Sequence, residues 1–137
     1  MNSTKPVLLI EDDSVDIMTV KRCFKRLKIP NELWIAENGE EALKILDSST
    51  QVSPCIILLD INMPKMNGLE FLEKFKKRKI SQKTPVIMLT SSKEESDIDH
   101  CFTLGVAGYI LKPVEYNEFV ETIELLNAYW SKSELPE

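Results

Sequence analysis

The chain is short of histidine, cysteine and glycine, with one, three and four of them in 137 residues, and each scarcity removes a class of function. The cysteines, Cys23, Cys55 and Cys101, are odd in number and far apart, and no C-x-x-C occurs. Neither a zinc site nor a redox motif is therefore supported, and reduced thiols in a cytoplasmic protein are the simple reading. No G-x-x-x-x-G-K occurs, which excludes a nucleotide-binding P-loop, and no Gly/Ser-rich linker divides the chain. The N-terminal Met1-Asn2-Ser3-Thr4-Lys5-Pro6 has no apolar core of a signal peptide. No apolar stretch is long enough to span a bilayer, so no membrane association is expected. The net charge of −5 argues against a broad nucleic-acid surface. One basic run exists, from Lys74 to Lys79. It reads as a solvated helix end whose cations favour the helix dipole, with a docking patch as the alternative.

Apolar residues make up 43% of the chain and charged residues 28%, a globular balance at the length of one domain. We take residues 1–137 as that domain, with a core over about 6–131 and a short polar tail over 132–137. Val7-Leu8-Leu9-Ile10 is a continuous apolar run, as a strand covered on both faces should be. Four more runs follow: Leu33–Ala36, Cys55–Leu59, Thr84–Leu89 and Ala107–Leu111. The run Cys55–Leu59 is the most apolar, which suits a central strand. Helical spacing appears between them, beginning with Ile17, Val20, Phe24 and Leu27 behind Ser14 as a cap. Asn38-Gly39 and Asn67-Gly68 open the second and third helices, Ser96–Leu104 forms a weaker fourth ended by Gly105, and Glu115–Trp130 a fifth. Strand and helix thus alternate five times, the pattern of a parallel sheet with helices on both faces.

The polar residues with chemistry stand at the ends of these strands. Glu11-Asp12-Asp13 follows the first, Asp60 the third with Asn62 two positions on, Thr90 the fourth, and Lys112-Pro113 the fifth. If every run is a parallel strand, all of them meet on one sheet edge, where open α/β folds place their sites. Adjacent carboxylates repel, and a divalent cation relieves that repulsion. Magnesium takes hard oxygens, typically one or two carboxylates with waters and phosphate oxygens. Asp12 is placed as a direct ligand and Glu11 as one acting through water, with the choice between Asp12 and Asp13 open. The Asn62 carbonyl, held in a turn shaped by Pro64, completes the metal set. Asp60 is an oxygen nucleophile toward phosphorus, Thr90 a donor to a phosphoryl oxygen, and Lys112 its ammonium partner. Taken singly, each has an ordinary alternative: an acidic turn, a capping Asp, a hydroxyl-rich loop, a surface lysine. Their coincidence at four strand ends weakens those alternatives together.

This set resembles the response-regulator receiver domain of two-component signalling, over nearly the entire chain. The resemblance implies a flavodoxin-like doubly wound sheet of order 2-1-3-4-5. It implies Mg²⁺ at Glu11, Asp12, Asp60 and Asn62, and phosphorylation of Asp60 by a sensor histidine kinase. It further implies Thr90 as switch hydroxyl, Tyr109 as switch aromatic and a Lys112–Pro113 peptide that is usually cis in the family. The Ser48–Pro54 loop and the ending Ala128-Tyr129-Trp130…Leu135-Pro136 resemble, more narrowly, the small stand-alone regulators that partner bacterial phytochrome kinases. That narrower likeness implies a homodimer, with Tyr129 and Trp130 as its anchors; the alternative is that these aromatics close the core. The protein then acts through partner contacts or passes phosphate onward, rather than turning over an external substrate. His100 lies outside every strand-end signal, so an exposed structural role is expected of it rather than phosphate carriage. A haloacid-dehalogenase-type phosphohydrolase needs a second acid where Asn62 stands, and a flavodoxin-like cofactor binder needs a hydroxyl-rich loop where Glu11–Asp13 stand. A pseudo-receiver that binds partners without phosphorylation remains the alternative function.

Overall fold

In the computed structural model, which describes residues 4–48 and 52–133, the five apolar runs become parallel strands of one sheet. They are β1 (Val7–Ile10), β2 (Leu33–Ala36), β3 (Ile56–Leu59), β4 (Val86–Thr90) and β5 (Gly108–Leu111). Their order is β2-β1-β3-β4-β5, so β3 is central, as its composition predicts. Between them run α1 (Ser14–Arg26), α2 (Gly39–Ser48), α3 (Gly68–Phe75), α4 (Glu95–Thr103) and α5 (Tyr116–Lys132). The chain reverses direction across the sheet between β1 and β3, the place where open α/β sheets leave a crevice.

Strand periodicity assigns the core to two layers. Val7, Leu9, Ile56, Leu58, Ile87 and Leu89 face α1 and α5, where Ile17, Val20, Phe24, Ile123 and Trp130 cover them. Leu8, Ile10, Ile57, Leu59 and Met88 face the other way, under Leu43, Phe71, Phe75 and Cys101 of α2, α3 and α4. The three cysteines are buried and unpaired. Burial raises each thiol, that of Cys101 to about 11, so all three behave as small apolar side chains.

Several boundaries differ from the sequence reading for definable reasons. Asp13, not Ser14, caps α1: its side chain accepts from the backbone N–H groups of Val15 and Asp16, and Ser14 becomes the first helical residue. Strand β4 begins at Val86, because Pro85 has no N–H to give the ladder, although its carbonyl still accepts from Ile57 N. Helix α5 starts one residue later than expected and runs on to Lys132. The basic run does not simply decorate a helix end. Arg78 makes a bidentate pair with Asp47 of α2, at 2.9 Å on each arm, and Lys76 donates to the Thr103 carbonyl at the end of α4. His100 is exposed, 3.4 Å from Glu73, in keeping with a structural role. Trp130 is buried in the core, the alternative role expected of it, while its neighbour Tyr129 is 65% exposed. Residues 49–51 and 134–137, on which the narrower resemblance partly rests, lie outside the described residues.

Candidate functional site

Register brings the predicted site residues together. Ile10 pairs with Leu59 across β1 and β3, so Glu11 and Asp60, the next residues, leave the sheet side by side. Thr90 closes the neighbouring strand β4, opposite Leu111 of β5, and the Lys112 N–H donates to the Thr90 carbonyl. All five strands are parallel, so the four chain ends carrying chemistry open on one edge.

Asp60 is buried, 6% exposed. Its Oδ1 accepts from the Ile61 N–H at 2.8 Å, and its Oδ2 lies 3.3 Å from Lys112 Nζ. The same ammonium is 2.5 Å from Glu11 Oε1 and 2.8 Å from Asp16 Oδ2. Its three donors are thus spread over three carboxylates. Asp12 is exposed, and carboxylate oxygens of Glu11, Asp12 and Asp60 lie within 4.8 Å of one another. Asp13, spent on the helix cap, is outside this group. Asn62 lies exposed in the β3–α3 loop.

The electrostatics follow from this crowding. Burial pushes the Glu11 carboxyl up to about 7, and the Asp60 charge adds to the rise, while the hydrogen bond and charge of Lys112 act against it. Burial opposes the Lys112 ammonium as well. Hydrogen bonds to Asp16 and Glu11, with the Asp60 charge, outweigh that and hold it above the ordinary lysine value. One ammonium, shared by Glu11, Asp16 and Asp60, thus serves a cluster in which Asp12 adds a fourth carboxylate beside Glu11 and Asp60. A set of clustered hard oxygens with a deficit of positive charge fits a hard divalent cation of the Mg²⁺ type.

The loop after Asp60 is clamped from both sides. The Gly68 N–H donates to the Ile61 carbonyl at 2.8 Å, and the Met66 carbonyl accepts from Gly39 N at 2.9 Å. Asn67 caps α3 in a reciprocal pair with Glu70. A Cβ on Gly68 would collide with the Asp60 carbonyl oxygen and Ile61 Cα, both rigid backbone. Gly68→Ala is therefore expected to lower stability by about 1–3 kcal/mol, as overpacking does. Thermal melts check this, and a melt superimposable on the wild type would mean that the backbone yields freely there.

Thr90 is fully buried, and its Oγ1 accepts from Ser92 N at a long 3.4 Å. The Tyr109 hydroxyl donates to the Ser92 carbonyl at 2.8 Å, and Ser92 Oγ donates to Asp97 of α4 at 2.6 Å. Ser92 is thereby the shared contact between the predicted switch hydroxyl and the predicted switch aromatic. The Lys112–Pro113 peptide is trans, since none of the described peptide bonds is cis. This corrects the expected family feature; trans is the form that X–Pro bonds favour by about 0.5–1 kcal/mol, and Lys112 reaches its three carboxylates from it. Sequence reasoning missed Asp16 and Ser92. Asp16 reads as an ordinary acid in the first turn of a helix, and nothing in the chain signals a partner 96 positions away. Ser92 contributes mainly through its backbone, which composition does not show.

A family model described as the response regulator receiver domain matches residues 7–124. Response regulator Rcp1 of Synechocystis sp. is 30% identical over 133 residues, covering 94% of this chain and 90% of that protein. The phosphorylated cyanobacterial phytochrome response regulator RcpA superposes with a TM-score of 0.91 at 28% identity, over 98% of this chain and 100% of that one. The Mn(2+)-bound form of Rcp1 superposes with a TM-score of 0.87 at 30% identity, over 97% of this chain and 99% of that one. With this match over most of its length, the sheet order of that fold and the acids, threonine and lysine on one edge, the chain belongs to the response regulator receiver domain family.

Proposed function

We propose that this receiver, with a core over about residues 6–131, takes a phosphoryl group on Asp60 from a sensor histidine kinase. The observation that carries the reading is the Asp60 carboxylate itself. It is buried, 3.3 Å from the Lys112 ammonium, and grouped with Glu11 and Asp12.

In the transfer, an Asp60 oxygen attacks phosphorus while the bond from phosphorus to the kinase imidazole nitrogen breaks. The nitrogen leaves with the electron pair, and an acyl phosphate remains on Asp60. Such reactions depend on positioning and charge neutralisation, with little covalent work by the protein. The Ile61 N–H fixes the carboxylate plane through Oδ1. Lys112 supplies a cation for the phosphoryl oxygens from its place beside Oδ2. Glu11, Asp12, Asp60 and the Asn62 carbonyl are the residues to hold Mg²⁺, which when bound supplies neutralising charge to the phosphoryl oxygens. Thr90 then turns its hydroxyl toward the new group, Ser92 moves with it, and Tyr109 loses or re-forms its bond to the Ser92 carbonyl. Pro113 fixes the chain that carries Lys112. The signal is the altered surface around α4, β5 and α5, read by a target or a further phosphotransfer partner. Slow attack by water on the acyl phosphate returns the protein to its starting state.

The likeness to RcpA, a phytochrome response regulator, supports a phytochrome-type kinase as donor; a homodimer and a cytoplasmic setting complete the proposal. The exposed Tyr129 and Leu125 on α5 are the side chains available to such a dimer. The complete set of acids and lysine gives no support to a phosphorylation-independent binding module. The test is treatment with acetyl phosphate and Mg²⁺. We expect one hydroxylamine-labile phosphoryl group, mapped to the peptide containing Asp60. No label, or a label on another peptide, would sink the reading.

A further inference from the structure

The sheet edge opposite the carboxylates holds a cavity of about 620 Å³. Its walls come from both layers of the fold: Leu72 and Phe75 of α3, Leu104 after α4, Val86 of β4 and Trp130 of α5. The C-terminal ends of three helices therefore meet around it. A volume of this size suits a small organic molecule, since ligand sites commonly run from about 300 to 1,000 Å³.

The polar inventory of the cavity is one-sided. Among the described residues no carboxylate lines it, whereas Lys76 and Lys83 do. Lys76 spends one donor on the Thr103 carbonyl and has two left. That bond already offsets the partial negative charge at the end of α4. Lys83 is exposed at the rim, and among the described residues no hydrogen bond or ion pair is found for its ammonium. Trp130, one of the walls, is buried and adds apolar ring surface to the lining. The hydroxyls that line the cavity are already committed as donors, Ser81 to the Arg78 carbonyl and Thr84 to the Pro54 carbonyl. Gly105, in the left-handed region at φ +85°, keeps the wall beside Lys76 free of a side chain. Among the described lining residues two ammonium groups thus stand over an apolar floor with no carboxylate to meet them, and an acceptor bearing negative charge would complement them.

We propose that this cavity binds a small organic anion with an apolar body, held by Lys83 and Lys76 over the Phe75 and Trp130 walls. The inference stands independently of the phosphoacceptor reading, because no residue of that site takes part.

The probe is 8-anilinonaphthalene-1-sulfonate, a naphthalene sulfonate, titrated against the intact folded protein with fluorescence and Trp quenching as readouts. N-phenyl-1-naphthylamine serves as its uncharged analogue. Two variants at exposed positions are chosen so that the fold is kept, which circular dichroism verifies. Lys83→Glu reverses the rim charge, and Ala107→Trp fills the space. We expect saturable one-to-one binding of the sulfonate in the wild type, weakened at least ten-fold by Lys83→Glu and lost in Ala107→Trp. The uncharged analogue should bind at least ten-fold more weakly than the sulfonate. Absence of saturable binding, equal affinity for the uncharged analogue, or affinity unchanged by either variant would overturn the proposal.

Discussion

Asp60→Asn should fold as the wild type does and form no acyl phosphate. The amide keeps the shape of the carboxylate, and its oxygen still accepts from the Ile61 N–H. It also removes one negative charge from a cluster in which Asp60 raises the Glu11 pKa. Stability should therefore hold or rise, by up to about 2 kcal/mol, as relief of like-charge repulsion among carboxylates implies. The amide oxygen is a poor nucleophile, and loss of a nucleophile typically costs about 10⁴-fold or more in rate. Phosphorylation by acetyl phosphate, followed by intact mass, and melting of the same sample report both effects. Label that persists in the variant places the acceptor elsewhere. A variant that unfolds would mean that the Asp60 carboxylate is needed for the fold itself, contrary to the repulsion argued here.

Lys112→Met is expected to destabilise the metal-free protein strongly. Methionine preserves most of the stem packing while removing the ammonium from Glu11, Asp16 and Asp60. Removing one partner of a buried ion pair costs about 3–5 kcal/mol, and we place this case at the low end because Glu11 can take up a proton. The pH dependence follows with a definite sign. The folded-state pKa of Glu11, about 7, exceeds its ordinary value of 4.5. The native protein therefore binds more protons than the unfolded chain between these values, and its stability falls as pH rises across them. Without Lys112, which pulls that pKa down, the window should extend above 7. The deficit of the variant should accordingly be smaller near pH 5.5, where Glu11 takes up a proton, than near pH 8. Denaturant unfolding in a chelating buffer at both pH values measures this, and a deficit independent of pH would refute the electrostatic account. Phosphoryl transfer should fall about 10²- to 10³-fold, the usual effect of losing one preorganised donor to developing charge.

The parts of the site readable in advance are those whose identity is local. Asp60 and Lys112 directly follow strands and Thr90 ends one, and a parallel sheet leaves strand ends no other edge to occupy. Asn38, Asn67 and Gly105 likewise announce helix boundaries, and the structure uses all three there. Asp13 was ambiguous, because an acid at a helix start serves as a cap or as a ligand with equal local chemistry. The cap takes its carboxylate, and Asp12 is left to join Glu11 and Asp60.

What the amino-acid order determined by itself is the alternation of buried runs with amphipathic helices, hence the layered sheet and the single edge bearing chemistry. These follow from local periodicity, which is written in neighbouring residues. Only the tertiary structure decided that Asp16 shares the Lys112 ammonium, that Ser92 joins Thr90 to Tyr109, and that Arg78 pairs with Asp47. Each of these contacts depends on a close approach between side chain and side chain, or between side chain and backbone, set by helix rotation and loop path. Chain packing sets such distances, and residue identity alone does not encode them.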